Sequence, residues 1–150
     1  MHIYDSRECF DASLDGVKKW MRTGQALDIA PTLIQGVAYS IGDSLTYWRD
    51  TATALATDDM VGRRRYLFVC SPINGDLRIV VAPKSALKCT EAYSDLTDRE
   101  RFRGEGETVT VPAGGIFVAD ENEAVRVQPD DDVVAVEVHV TVEGYSFPNK

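Results

Sequence analysis

The spacing of apolar residues predicts a helical segment at the start of the chain and β-structure after it. Between residues 5 and 29, Phe10, Leu14, Val17 and Trp20 recur every three to four positions, with charged residues between them. That spacing is typical of one buried helix face. After Pro31 the period shortens to two, which is the period of β-strands.

Eight segments follow this shorter period and are bounded by Gly, Pro, Asn or Asp. The predicted strands are 33–41, 44–54, 64–71, 77–82, 107–111, 115–120, 123–127 and 133–142. The polar stretch from 85 to 105 shows neither period and is predicted to be a loop with a possible helical turn. We therefore expect one mainly β domain over 1–150, a sandwich or roll with a short N-terminal helical segment.

The last predicted strand separates cleanly into two faces. Its valines, from Val134 to Val142, occupy every second position, while Glu137 and His139 lie among the alternate residues. We expect the valine face to pack against the opposite sheet, and the mixed face to point to solvent or into a polar cavity of the barrel. On the strand 64–71 both faces are apolar, which predicts that Phe68 lies in the core.

Composition and charge narrow the range of partners and compartments. The chain has 16 basic and 24 acidic side chains and a formal net charge of -8, which argues against nucleic acid as a partner. No apolar run approaches the ~20 residues of a membrane helix, and the first residues do not resemble a signal peptide. The 3 cysteines form no C-x-x-C pair, so we expect reduced thiols in a cytoplasmic protein.

Two short motifs suggest chemistry. The sequence Gly-Asp-Ser-Leu at 42–45 matches the nucleophile signature of a hydrolase family, in which an Asp-x-x-His supplies the base. No Asp precedes His139 by three residues and His2 is the only other histidine, so we interpret the motif as a hairpin turn. The sequence from Gly106 to Gly114 fits the G-x5-P-x-G pattern of cupin β-barrels, in which a strand, a turn and a return strand follow one another.

Longer blocks identify a family. The stretches GVAYSIGDSLTY, GRRRY, TDRERFRGEGETV and EAVRV resemble the YhcH/YiaL family of cupin-like proteins, along nearly the whole chain. The resemblance implies a double-stranded β-helix (jelly roll) and a role in carbohydrate metabolism. In the members that this chain resembles most, it also implies assembly with a large catalytic β-galactosidase subunit. Other members are suspected of acting on sugars through a metal ion in the barrel.

The positions that match the metal-binding positions of those members carry other residues here. They are Val61, Arg63, Phe68, Cys70 and Asn122, and His139 takes the place of a usual lysine. An arginine is permanently protonated and has no acceptor atom for a cation. We therefore predict no metal and no cofactor, and a pocket that prefers an anion or sugar hydroxyls. The pocket candidates are Arg63, Arg65, Tyr66, Cys70, Asn122 and His139.

The three consecutive arginines at 63–65 have two open interpretations. They pair with surplus acids of the chain, such as Asp130–Asp132 or Glu137, or they line the barrel mouth and meet a sugar or a partner. Arginine and aromatic side chains also anchor protein interfaces. The candidates for a partner interface are Arg64, Tyr47, Trp48 and Arg49.

The expected function is that of a non-catalytic accessory subunit of a heteromeric β-galactosidase-type glycoside hydrolase. On this view the catalytic residues belong to the large subunit, and this chain contributes none. The alternative is a stand-alone sugar-binding protein or sugar isomerase/epimerase that uses the barrel pocket. A homo-oligomer with a regulatory role also stays open.

Overall fold

The computed structural model describes residues 1–14, 17–41 and 45–142. The predicted helical segment is present as α1 (Arg7–Leu14) and α2 (Lys18–Ile29), and a short α3 (Ala52–Leu55) follows later. The hydroxyl of Ser6 accepts a hydrogen bond from the amide of Cys9 at 3.2 Å and so caps α1. The predicted Gly-Asp turn at 42–43 and the motif's Ser44 lie outside the described residues.

Twelve strands in the described part of the chain form two antiparallel six-stranded sheets. In spatial order, sheet A consists of β1 (His2–Tyr4), β10 (Ile116–Val118), β5 (Tyr66–Pro72), β12 (Val134–Thr141), β3 (Leu45–Thr51) and β2 (Tyr39–Ile41). Sheet B consists of β7 (Lys88–Ser94), β8 (Arg99–Arg103), β4 (Met60–Gly62), β11 (Glu123–Val127), β6 (Leu77–Pro83) and β9 (Glu107–Val111).

The order of the central strands is that of a jelly roll. The row β10-β5-β12-β3 of sheet A faces the row β4-β11-β6-β9 of sheet B, and among these eight strands the chain changes sheet at every connection except the one from β6 to β9. Eight strands connected in this way form the two Greek keys of a jelly roll. The predicted fold class, a mainly β cupin-like roll with an N-terminal helical segment, is therefore confirmed.

Both faces of sheet A are buried, which corrects one prediction. Val136, Val138 and Val140 do not face the opposite sheet, because they pack with Phe10 and Trp20 beneath the N-terminal helices. The alternate residues of β12 point between the sheets, where Ala135 joins the main core. The mixed face of β12 is therefore the one that lines the barrel interior. Phe68 lies in that interior core, as predicted.

The stretch from 85 to 105 is not a loop. It forms a hairpin, β7 and β8, that continues sheet B beyond β4. Its strands are rich in charged residues, so hydrophobic alternation did not reveal them. Two short strands, β1 and β4, were also missed, and β1 pairs the first residues of the chain with β10.

The segment Gly106–Gly114 includes β9 and the bend that follows it. Gly114 has a φ of +82°, a left-handed conformation that glycine adopts without strain. The return strand, β10, lies in the other sheet, so this bend carries the chain between the sheets and does not close a hairpin. In the described ranges, no helix is long and apolar enough to cross a membrane.

Candidate functional site in the barrel interior

The interior of the roll contains a small cavity with charged groups in its wall. Its volume is about 40 Å³. The lining residues are Leu55, Thr57, Val61, Arg63, Phe68, Arg99, Val125, Val127 and Glu137. Two guanidinium groups and one carboxylate therefore share a chamber whose remaining wall is mainly apolar.

Arg63 follows β4 directly and reaches into this chamber. Its Nη1 donates a hydrogen bond to the carbonyl oxygen of Asp98 at 3.3 Å. Burial lowers the pKa of the Arg63 guanidinium, and the positive charge of Arg99 lowers it further, while the charge of Glu137 raises it. Of the three consecutive arginines, Arg63 is thus the one whose side chain lines the interior cavity.

Glu137 and His139 form a pair on the interior face of β12. The His139 Nε2 and the Glu137 Oε2 are 2.7 Å apart, and both side chains are largely buried. The indole of Trp48 meets the His139 ring edge to face, with 4.9 Å between the ring centroids. A hydrogen-bonded carboxylate and imidazole of this kind have the chemistry of a general acid-base pair.

The other predicted pocket residues separate into three places. Tyr66 lines a second cavity of about 10 Å³, which lies against Arg63 and Phe68. Cys70 is fully buried in the core, and burial raises the pKa of its thiol well above the ordinary value of 9.0. Asn122 is exposed in the turn before β11. The structure therefore does not bring Cys70 and Asn122 into the cavity that Arg63 lines.

Arg64 and Arg65 face outward and hold the β7–β8 hairpin. Arg64 donates from Nε and Nη2 to the two carboxylate oxygens of Glu100 at 3.1 and 3.3 Å, and its guanidinium lies 4.4 Å from the Tyr93 ring centroid. Arg65 donates from Nη2 to the carbonyl oxygen of Asp95. Arg65 was a predicted pocket residue, but its side chain lies on the outer surface.

Asp98 is the centre of this arrangement, which we name the arginine clamp (Arg64, Arg65, Lys84, Tyr93, Asp98 and Glu100). The Asp98 Oδ1 accepts from the backbone amides of Arg64 and Arg65, each at 3.0 Å, and from the Tyr93 hydroxyl at 2.6 Å. Lys84 adds a bond from Nζ to Glu100 at 3.0 Å. The arginines therefore pair with acids of the chain, as one interpretation predicted, although with Asp98 and Glu100 and not with 130–132.

The two acids of the clamp were missed because acidic stretches are usually solvated. Asp98 is 3 % exposed and Glu100 is 6 % exposed. One sequence pattern could have revealed Glu100. It alternates with the arginines of β8 at the two-residue period of a strand, which indicates a strand and not a solvated loop. Asp98 also has a φ of +51°, a conformation that Asp tolerates better than most residues.

The clamp makes stability depend on pH in the acid range. Burial alone raises the pKa of Asp98, but the hydrogen bonds from Tyr93 and from the Arg65 and Arg64 amides outweigh it and hold the pKa below 3.8. Burial likewise raises the pKa of Glu100, but Arg64 and Lys84 hold it below 4.5. Depressed pKa values stabilise the fold above the unfolded-state pKa, and this contribution is lost as the pH falls through the folded-state pKa.

We therefore expect Asp98→Asn to cost stability at neutral pH and progressively less below about pH 4. In wild type the unfolded chain takes up a proton at Asp98 before the folded protein does, whereas the variant has no proton to bind there. Urea denaturation of both proteins between about pH 7 and pH 3 measures the difference in the free energy of unfolding. A difference that stays constant over this range would contradict the role of the Asp98 charge.

The predicted interface residues lie mostly inside the fold. Tyr47 is buried with the helices against sheet A, and Trp48 is half-buried on the interior side. Arg49 is half-buried and donates from Nη2 to the carbonyl oxygen of Leu33. The burial of Tyr47 argues against its place in a partner surface, while Trp48 and Arg49 keep part of their surface accessible. Arg64, at 59 % side-chain exposure, keeps an accessible guanidinium.

The residues present do not suit the metal that the family resemblance implies for some members. Arg63 and Phe68 offer no lone pair to a cation from their side chains, Val61 is apolar, and Asn122 lies outside the chamber. A buried guanidinium would also repel a divalent ion in a medium of low dielectric constant. Among the described residues, no group of three or more His, Cys, Asp or Glu is placed to hold a metal ion.

The strand order and the filled interior define the chain as a cupin-like jelly roll. No family model matches the sequence. The structure resembles hydroquinone 1,2-dioxygenase from Sphingomonas sp. TTNP3 with 13% identity and a TM-score of 0.46, over 77% of this chain and 71% of that one. It also resembles a cupin protein from Bacteroides fragilis with 8% identity and a TM-score of 0.29, over 73% and 80% of the two chains. Likenesses at this level carry no function over to this chain.

Proposed function

We propose that this chain is a cytoplasmic, non-catalytic accessory subunit of a heteromeric β-galactosidase-type glycoside hydrolase. It contributes a surface that a large catalytic subunit needs for full activity. The kind of partner rests on the sequence resemblance to the small subunits of the YhcH/YiaL family. The observation that supports a non-catalytic role is the interior of the roll, where Arg63 and Phe68 leave a cavity of about 40 Å³.

That volume argues against the alternative of a sugar-binding protein or sugar isomerase/epimerase. Sites for small organic ligands have volumes of roughly 300–1,000 Å³, so a sugar ring does not fit beside Arg63 without rearrangement. The Glu137–His139 pair is the feature that favours the alternative, because it resembles a general acid-base pair. The two groups are hydrogen-bonded to each other, and the space in front of Glu137 is the small cavity.

The tip of the β7–β8 hairpin is the surface that we propose for the large subunit. Leu96 is 93 % exposed there, and the guanidinium groups of Arg64 and Arg65 lie beside the same hairpin. An exposed apolar side chain next to arginines is the combination that anchors many protein interfaces. The clamp holds this surface in one conformation, which reduces the entropy lost on binding.

The test is to purify the tagged protein from its native host and identify by mass spectrometry what accompanies it. We expect a large glycosidase in near-equal amount, and we expect its galactosidase activity to fall when this chain is removed. Leu96→Asp should weaken the association by at least about tenfold, because it buries a charge at the interface. Met21→Asp, an exposed position on α2, is the matched control and should leave the association unchanged.

Two outcomes would contradict the proposal. A chain that elutes alone, at concentrations well above those in the cell, would exclude the subunit role. A purified chain that converts one sugar isomer or epimer into another without a partner would support the alternative function. If the complex forms and Leu96→Asp binds as wild type does, the subunit role stands and the hairpin tip is excluded as its surface.

A further inference from the structure

The cavity in the roll has an excess of positive charge. Arg63 and Arg99 both line it, and Glu137 is the acidic residue in its wall. The positive charge of Arg99 lowers the pKa of the Arg63 guanidinium, so the two like charges repel each other. Groups that carry charge away from water require a partner of opposite charge or several hydrogen bonds. Arg63 has five N–H donors, and its Nη1 donates to the Asp98 carbonyl.

Glu137 offsets this excess in part. Its Oε2 is 2.7 Å from the His139 Nε2, so one oxygen of the carboxylate is engaged on the side of β12. The acidic residues Asp120, Glu121 and Glu123 line the neighbouring cavity, which shares Arg63 with the first one. Asp120 and Glu123 are themselves paired with the N-terminal amine of Met1 at 2.8 and 2.7 Å. In the wall of the larger cavity, positive groups outnumber negative ones by two to one.

The geometry points to a binding site for a small monovalent carboxylate, of formate or acetate size, between Arg63 and Arg99 in the roll. A cavity of about 40 Å³ admits roughly three water-sized centres, which matches the few heavy atoms of such an anion. A guanidinium presents its donors in a planar fork that a carboxylate meets with two hydrogen bonds. The apolar wall formed by Val61, Phe68 and Val125 strengthens these bonds because it lowers the local dielectric constant.

This site is independent of the proposed subunit role. It uses the barrel interior, whereas the large subunit would bind the hairpin tip. Failure of either proposal therefore leaves the other intact, because the two are tested on different residues and by different measurements.

The test is thermal unfolding of the full chain in rising sodium formate, with sodium gluconate keeping the ionic strength constant. Gluconate is too large for the cavity, so it controls for screening of surface charge. We expect the Tm of wild type to rise with formate in a saturable way, as it does for a ligand that binds the folded state. Titration of carbon-13 formate, followed by NMR line broadening, gives the dissociation constant directly.

Three variants make the test specific. Arg99→Gln should raise the dissociation constant at least about tenfold, and its position at the start of β8 makes it less critical for folding than Arg63. Glu137→Gln should lower the dissociation constant severalfold, because it removes the negative charge from the wall. Arg78→Gln, an exposed arginine on β6, is the matched control and should bind formate as wild type does.

The opposite pattern would overturn the site. A wild-type Tm that responds equally to formate and gluconate shows that no specific anion binds. A response that Arg99→Gln and Arg78→Gln reduce by the same amount shows that formate acts on surface charge and not in the cavity.

Discussion

Asp98→Ala is expected to lower the free energy of unfolding by about 3 kcal/mol. The substitution removes the carboxylate oxygen that accepts from two backbone amides and the Tyr93 hydroxyl. The three hydrogen bonds share one charged acceptor and are not additive, so together we expect them to contribute about 3 kcal/mol, and alanine at a φ of +51° adds backbone strain. The buried Oδ2, which has no hydrogen-bond partner among the described residues, offsets part of that loss.

Urea denaturation at neutral pH measures this difference, and the Tm should fall by roughly 6–12 °C for a chain of this size. Asp95→Ala is the matched control, because Asp95 lies on the same hairpin with an exposed side chain. Its cost should stay within about 0.5 kcal/mol. If the two alanine variants are equally stable, the hairpin is held by its strand pairing and not by the arginine clamp.

The arginine clamp shows which contacts the sequence pattern could predict and which it could not. Acidic partners for the arginine triplet were one of the two interpretations that the sequence left open. It did not identify the partners, because Asp98 and Glu100 lie in a stretch without hydrophobic alternation. Strands stabilised by ion pairs carry charges where other strands carry apolar residues, so their pattern resembles that of a loop.

The burial of Arg63 was not predictable from neighbouring residues either. Arg63, Arg64 and Arg65 are adjacent and chemically identical, but they lie in the connection between β4 and β5, where side chains do not follow the two-residue period of a strand. Which of them enters the interior depends on the sheets that pack around this connection. The family resemblance implied that Arg63 stands at a position where other members could bind a metal. It could not show that Cys70 lies deep in the core or that Asn122 lies outside the chamber.

In β12, too, the sequence pattern predicted the strand but not which elements cover its two faces. Its alternation predicted two distinct faces, and the structure has both. A period of two does not reveal what covers each face, and a row of valines suits the space between two sheets as well as the space beneath a helix. In this chain α1 and α2 cover the outer side of sheet A. This leaves the mixed face, with Glu137 and His139, to line the barrel.

Phe10→Ala is expected to cost about 3–5 kcal/mol, because the helices are part of one cooperative core with sheet A. Phe10 is 0 % exposed. Its ring meets Tyr4 and Trp20 edge to face, with centroids 5.4 and 6.0 Å apart. Its removal leaves a cavity above the valines of β12, which the strand cannot fill because it is paired on both sides with β3 and β5.

Chemical denaturation followed by far-UV and near-UV circular dichroism measures this cost and tests the cooperativity. Met21→Ala, an exposed position on α2, is the control and should change stability by less than about 0.5 kcal/mol. The two spectral regions should report one coincident transition in both variants. A Phe10→Ala protein whose helices unfold separately, while the sheet signal keeps the wild-type midpoint, would show that the helices are an appendage. In that case the outer face of sheet A would have to be stable without them, which its exposed valines make unfavourable in water.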